Sequence, residues 1–595
     1  MIDPVTVEII QNRLTQIGRE AGISMVRAAA SLIVVGAKDF GFNIADDEGR
    51  TVVYSIWMPR HGTTLSFMLK SCLKKFKGED IFPGDMFMVN NPHDGALHVL
   101  DIAILSPVHF KGKIVAWTAC ATHQLDLRAM RPGFTPDATD WFQEGIIFRP
   151  IKIMEKGKIK DDIFNFLMDN VRVPRLQGLD LKAQIAANNV AKEKIINLVE
   201  RYGTETLKAC YDEIIRFSEI KTRERIREIT PGSYEAVDYL DYDRVYKACC
   251  TLIVKEDTLV FDFTGTDPQS GTYINSALAC TIANVHNIIS CMLVPDVTSN
   301  EGCFRPISFV LPEGGLLSCK PPAPCSGAST IGGWKAQILA IKVLSKAFAN
   351  SPTLAWRANA VWGWGWVGLT PAGLDQYGKP FVTTFMSSVL QGGGARATRD
   401  GFDVANIAGS TNTSVPNVED KEYRYPFLFL NRGMVRDSGG AGKYRGGVSG
   451  ELAIKVHDVG SVDCFLGYVG KEIESDGFAG GKGGKTSEVS IKRNTNVNEL
   501  LHEDIPSFNE ILGEKTVLPQ QNPPFKMGPD DVLYMRCQGG GGYGNPAERE
   551  INMVGTDVKE DYVSPEAAEK YYAAVIKPET GEVDKDKTAA LRKHL

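Results

Sequence analysis

Histidine and aspartate recur three residues apart twice in a short stretch, as His98-Val-Leu-Asp101 and His123-Gln-Leu-Asp126. Four of the nine histidines lie between His93 and His123. A neutral imidazole and a carboxylate together make a good ligand set for a first-row divalent metal. The simpler alternative is that each Asp orients its neighbouring His or caps a turn, because short motifs occur often by chance. Each unit adjoins an apolar, β-branched run, Ile102 to Leu105 and Ile114 to Ala119. Those runs read as two neighbouring strands joined through Phe110-Lys111-Gly112-Lys113. Pairing of the strands brings the two units together. Arg128, Arg131 and Glu144 follow; they can meet an anionic or carbonyl substrate, or be plain solvated charges.

The elements before this stretch must hold it. Asp3 and Pro4 open a helix, as cap and first-turn residue. Ile10, Leu14, Ile17, Ala21, Met25 and Ala28 give that helix one buried face. KDFGFNIADDEGRTVVYS alternates and turns at Asp47-Glu48-Gly49, which predicts a hairpin. Asp39 reads as a turn residue at its start, with a place near the histidines as the alternative. A second helix is expected over Thr64 to Lys77. Pro83-Gly84-Asp85 then turns into a strand that delivers Asn90 and Asn91 to the histidines.

Beyond the site the pattern changes. Residues 180–231 read as a helical pair, with Asp180 and Thr204 as caps and Gly203 between. The basic run at 221–227 reads as a solvated helix face. TLIVKEDTLVFDF predicts a hairpin at Glu256-Asp257, and a helix follows over Asn275 to Met292. Gly/Pro segments then dominate, from KPPAPCSG and QGGGARATRDGFD to CQGGGGYGNPAE, among 58 glycines in all. Aromatic residues interleave them, so they are expected to pack as polyproline-II-like or turn segments rather than to act as linkers. The expected fold class is mixed α+β: curved β-sheets in a barrel-like arrangement, a helical section and Gly-rich segments. The expected parts are 1–179 with the His/Asp site, 180–231 helical, and 232–595 β- and Gly-rich.

Composition limits the function. The 595 residues include 43% hydrophobic ones, enough for a large core, and carry a net charge of −6 with mixed signs. Nothing in that balance favours nucleic acid or an acidic membrane surface. The N-terminus lacks the basic-then-apolar pattern of a signal peptide, and no apolar run approaches the about 18 residues of a span. The twelve cysteines include no C-x-x-C and suit a reduced, cytoplasmic protein. GFAGGKGGKT resembles a phosphate-binding loop, but Ala479 stands where the first glycine should be, and no strand–loop–helix context surrounds it. The chain is therefore expected to lack an ATP or dinucleotide site of its own.

DPVTVEIIQNRL, KDFGFNIADDEG, PGDMFMVNNPHDGALHVLDI, THQLD, EGIIFRP, NEGCFRPI, PPAPCSG, QGGGARATRDG, DSGGAGKYRGG and GGGGYGNPAER run in order through nearly the whole chain. In these stretches it resembles the B-type subunit of the hydantoinase / 5-oxoprolinase / acetone–acetophenone carboxylase family. The resemblance implies a large hetero-oligomer. In it, A-type partner subunits with an actin/hexokinase-like ATPase fold use ATP and Mg to activate a carbonyl or bicarbonate. It implies a divalent metal, Mn or Zn, on His98, Asp101 and His123. Asp126 would then orient an imidazole, and Glu144 is a candidate acid/base. Asn90-Asn91-Pro92-His93, Gly95-Ala96-Leu97-His98 and Arg128-Ala129 depart from the Asn-Asp-Pro-Tyr, Gly-Gly-Thr-His and Gly-Gly of many members. These departures point toward carboxylation of an acetophenone-type ketone rather than standard hydantoin or oxoproline hydrolysis. ATP-dependent opening of a cyclic amide and a non-catalytic scaffold are the alternatives.

Overall fold

A computed structural model describes residues 2–54, 57–385, 389–406, 414–577 and 580–592. The strands that carry the His/Asp units belong to a seven-stranded antiparallel sheet. In chain order these are β1 (Phe40–Ala45), β2 (Thr51–Val53), β3 (Met86–Val89), β4 (Asp101–Phe110), β5 (Lys113–His123), β6 (Ile151–Glu155) and β7 (Lys158–Ile159). The spatial order is β2-β1-β5-β4-β3-β6-β7, so β4 and β5 are central. Their connection is the expected two-residue turn. Lys111 and Gly112 both have positive φ, 48° and 79°, the backbone that matches the twist of a tight hairpin.

Helices cover this sheet. The Pro4–Ala28 helix begins where Asp3 accepts from the Val5 and Thr6 amides, and it buries Ile10, Leu14, Ile17, Ala21 and Met25. The Pro174–Tyr202 helix starts ahead of Asp180, so the expected cap at that residue is corrected. Pro174 suits the first turn, and the buried Asp180 carboxylate instead accepts from the Ala30 and Ser31 amides just beyond the first helix. Gln184 on the same helix donates to the Ile102 and Cys120 carbonyls, and the Asn188 amide to that of Ile104. Two buried side-chain amides thus tie the helix to β4 and β5. The Thr204–Arg227 helix follows Gly203, whose φ is 82°. Its basic end is ion-paired: Arg223 and Arg227 with Asp257, Arg225 with Asp296.

Among the described residues three further sheets follow. Gly232–Asp241, Val245–Lys255, Thr258–Asp262 and Ile307–Val310 form one, with the expected turn at Glu256 and a parallel pairing at its last strand. It shares a core with the Leu278–Ile288 and Gly332–Ala349 helices. A four-stranded sheet and a five-stranded sheet complete the C-terminal part. Among the described residues no sheet closes into a barrel, which corrects that expectation; the architecture is several open sheets with helices.

The glycine-rich segments interleave. Gly440 donates to the Gly540 carbonyl, Gly540 to Gly447, Gly447 to Gly393, and Gly541 to Val361. A Cβ on Gly540 would lie 1.9 Å from the Gly393 oxygen, and one on Gly446 2.0 Å from the Gly540 oxygen. Backbones this close exclude any side chain, which is why glycine is required. The GFAGGKGGKT stretch lies in this layer: Lys485 donates its amide to the Ser438 carbonyl, and the strand Glu488–Arg493, not a helix, follows directly. Within 392–545, residues 407–413 lie outside the described residues.

Candidate metal centre

His98, Asp101 and His123 converge. Asp101 begins β4 and His123 ends β5, and the two are direct partners at the open end of the hairpin. His98 precedes β4 in a turn closed by the Asp101 amide on the His98 carbonyl. Gly95, φ 126°, permits the approach; a Cβ there would sit 2.6 Å from Phe67 Cβ. The buried Asn90 side chain holds this turn from below, donating to the Val99 and Ile146 carbonyls and accepting from the Phe148 amide.

The ligand-type atoms sit close together. His98 Nε2 lies 3.1 Å from Asp101 Oδ1, His123 Nδ1 lies 3.2 Å from the same oxygen, and the two nitrogens are 3.2 Å apart. All three residues are buried. Burial would raise the Asp101 carboxyl, but the His98 and His123 imidazoles outweigh it and hold it well below the usual carboxylate range. Burial lowers His98 below the ordinary histidine value despite Asp101. Burial acts the same way on His123, but the hydrogen bond and charge of Asp101 reverse it, and His123 is raised. Asp101 is therefore held as a carboxylate, as a divalent ion needs, while the proton that Asp101 favours on His123 has to leave before that ring can ligate.

The fit to a metal can be tested on the unsatisfied atoms. Asp101 Oδ2 is buried without a hydrogen-bond partner, whereas the equally unpartnered His98 Nδ1 is the ring nitrogen turned away from Asp101. An unpartnered buried carboxylate oxygen costs about 1–3 kcal/mol, a cost that a bound cation removes. Two imidazole nitrogens and a carboxylate oxygen lie within 4.8 Å of one another, the donor set of an open catalytic site. The residues fit the group.

Two neighbours were not singled out as ligands from sequence. His61 lies with Nδ1 4.0 Å from Asp101 Oδ2 and Nε2 3.6 Å from Asp39 Oδ1. Asp39 is not simply a turn residue: its side chain lines the cleft, and its carbonyl accepts from the His123 amide and the Thr122 hydroxyl. Burial would raise its carboxyl, yet His61 and His123 bring it below the usual value. The second helix begins at Arg60, not Thr64, which places His61 in its first turn. Pro59 immediately before it was the available signal.

The cleft over these residues is walled by Phe134, Trp334 and Trp366. Phe134 stacks on His98 at 5.6 Å and meets Trp366 edge-on at 4.9 Å. Arg60 is buried, donates to the Ser329 carbonyl, and leaves Nε unbonded. Trp334 Nε1 and Thr330 Oγ1, which also belong to the cleft lining, are likewise buried without partners.

Asp126 and Glu144 are placed differently. Both oxygens of Asp126 accept from Arg172, its amide at 2.6 Å and its guanidinium. Glu144 is buried, and its carboxylate accepts from the Cys325 amide at 2.8 Å and from the Ser326 amide. Burial outweighs those amides and lifts its carboxyl to about 8. Ser326 in turn meets the Thr135 hydroxyl at 3.0 Å, next to Phe134. Neither carboxylate belongs to the cleft lining.

Open sheets thus carry a buried His/Asp/His cluster whose ligand-type atoms are close enough together to hold one metal ion. The family model for Hydantoinase B/oxoprolinase matches residues 3–546, and the chain belongs to that family. The acetophenone carboxylase delta subunit of Aromatoleum aromaticum is 28% identical over 99% of this chain and 89% of its own length. The ATP-dependent caprolactamase of Pseudomonas jessenii superposes with a TM-score of 0.88 at 25% identity, over 100% of both chains. An acetone carboxylase in nucleotide-free form shares the fold, with a TM-score of 0.90 at 21% identity over 100% of this chain and 83% of that one. Among the described residues no helix is long and apolar enough to cross a membrane.

Proposed function

We propose that this chain is the metal-bearing B-type subunit of an ATP-dependent complex acting on a carbonyl group, and that its reaction is carboxylation of an acetophenone-type ketone with bicarbonate. ATP and Mg are handled by A-type partner subunits in this reading. The observation that carries it is the set of unsatisfied donors around the His98/Asp101/His123 cluster, in a cleft with aromatic walls. The aromatic and polar lining matches the chemistry of a flat substrate bearing carbonyl or carboxylate oxygens, but the cleft has a volume of only about 30 Å³, so a ketone enters only if its walls move apart.

His98, Asp101 and His123 would hold a divalent ion, Mn or Zn, which supplies Lewis-acid polarisation of a substrate oxygen when bound. Phe134 and Trp366 exclude water and fix the His98 ring plane by stacking. The Arg60 guanidinium stabilises negative charge on a substrate oxygen, and Trp334 Nε1 and Thr330 Oγ1 orient it through hydrogen bonds. His61, between Asp39 and Asp101, is placed to hold a proton at Nδ1 or Nε2. Asp126 and Glu144 are positioning residues: one holds Arg172 against the loop after β5, the other the Cys325–Ser326 turn. All twelve cysteines are unpaired, and all but Cys249 and Cys291 are buried, which suits a reducing, cytoplasmic setting.

Opening of a cyclic amide is a second reading. It is favoured by the full-length likeness to the caprolactamase. The test reconstitutes the chain with A-type ATPase subunits and follows two reactions. ATP-dependent incorporation of labelled bicarbonate into acetophenone supports the first reading. Ring opening of a lactam without carboxylation replaces it with the second. Neither activity, with a fully metallated chain in the complex, rejects both.

A further inference from the structure

Trp334 of the Gly332–Ala349 helix lines the metal cleft, and Ile341 of the same helix lines a second cavity. At 1.5 Å rise per residue the two positions are about 10 Å apart along the helix. The cavities share no lining residue. The second has a volume of about 680 Å³, within the range of small-molecule pockets.

Its lining combines Arg357, Arg396 and Arg399 with Trp356, Trp362 and Phe402. The Arg396 and Arg399 guanidinium carbons lie 4.6 and 5.5 Å from the centre of the Phe402 ring, and that of Arg357 lies 4.8 Å from Trp356. The backbone holds the first two together: the Arg396 amide donates to the Arg399 carbonyl at 2.9 Å, and the two residues form an antiparallel bridge. Like charges opposed across a bridge are unfavourable. Among the described residues none of the three arginines forms an ion pair with a carboxylate, whereas Arg223, Arg225, Arg445 and Arg549 all do. Arg357 is fixed by donating to the Met292 and Leu293 carbonyls, and its buried Nε has no partner.

Stacking on an aromatic ring leaves the N–H edges of a guanidinium free. Two such forks side by side match an anion with several oxygens, and phosphate more closely than a single carboxylate. The aromatic residues offer a surface for a flat apolar group. We propose that this cavity is a second ligand site, separate from the metal cleft, for an organic phosphate with a flat apolar body.

The test titrates the full chain calorimetrically with phenyl phosphate and with inorganic phosphate. Saturable binding of both is expected, tighter for phenyl phosphate. The double substitution Arg396→Gln/Arg399→Gln should weaken both by about tenfold or more, because charge-assisted bonds are lost. Phe402→Leu should weaken phenyl phosphate and spare inorganic phosphate. The arginines have no ion pair to lose, so the double variant should keep its circular dichroism; if it does not, Phe402→Leu decides on the difference between the two ligands alone. No saturable binding, equal affinity for the two ligands, or binding that survives the double substitution and disappears with His98→Ala overturns the proposal.

Discussion

Asp101 and His123 are direct partners across the β4–β5 hairpin, and the His123 Nδ1 lies 3.2 Å from Asp101 Oδ1 at its open end. The Lys111-Gly112 turn sets the register only as far as His109; a β-bulge there leaves Val115 unpaired and shifts the register by one residue, and without it Asp101 would face Thr122 instead of His123.

Replacing His98, Asp101 or His123 with alanine should remove bound metal and abolish activity of the complex. The loss should exceed the about 10–100-fold typical of residues behind the ligands. Elemental analysis of the purified variants, alongside circular dichroism, checks this. Full metal content in Asp101→Ala would refute the assignment.

Arg60→Ala and His61→Ala are expected to behave differently from those three. Neither supplies a proposed ligand, so metal content should stay near one per chain while activity falls by about 10²-fold or more, on the scale of lost charge stabilisation or proton transfer. Metal analysis paired with turnover separates the two classes. Loss of metal in His61→Ala would make it a ligand.

Glu144 should give stability a pH dependence of known sign. Burial raises its carboxyl from 4.5 in the unfolded chain to about 8 in the fold. Between those values the folded chain binds the extra proton, so stability falls as pH rises through this window and levels off above it. Glu144→Gln keeps one acceptor for the Cys325 and Ser326 amides but cannot ionise. Denaturant midpoints measured across the window should slope for the wild type and be flatter for the variant. Equal slopes would contradict the burial argument.

The glycine layer should be intolerant of a single methyl group. Gly540→Ala and Gly446→Ala place Cβ at 1.9 and 2.0 Å from a backbone oxygen, which nothing nearby can yield without moving a segment. A loss of at least about 1–3 kcal/mol, the scale of overpacking, is expected from urea unfolding or as insoluble expression. Gly78→Ala, where a Cβ meets nothing within 4 Å, is the near-neutral control.

Lys485 should be irrelevant to nucleotide. Its segment is held in the glycine layer, with its amide on Ser438. The isolated chain is expected neither to bind nor to hydrolyse ATP, and Lys485→Ala should leave ATP turnover of the complex within about twofold of wild type, because the Lys485 segment is held in the glycine layer and does not open onto a helix N-terminus. Strong ATP binding by the chain alone, lost in that variant, would reverse the conclusion.

Local signals in the chain were enough to define the strands of the site. Alternation, β-branched runs and the Lys111-Gly112 turn depend only on neighbours, so the hairpin and its two His-x-x-Asp units were legible, as were the Asp3 cap and the Gly203 helix end. The helix over Thr64 to Lys77 was placed four residues late, and Arg60 and His61 were lost with it. Whether Asp39 served a turn or the cleft could not be read locally, because its partners His61 and His123 come from other elements. Closure into a barrel was likewise a matter of long-range pairing, and the described strands form open sheets instead. The two His-x-x-Asp units are alike in sequence, yet only Asp101 joins the cluster. Asp101 is the first residue of β4 and faces His123 across the hairpin, whereas Asp126 lies beyond the end of β5, where Arg172 claims both of its oxygens. Spacing along a chain is local, but the choice between two equal carboxylates was made by whichever partner lay within reach, and only the tertiary structure brought the half-exposed Arg172 to one and two buried imidazoles to the other.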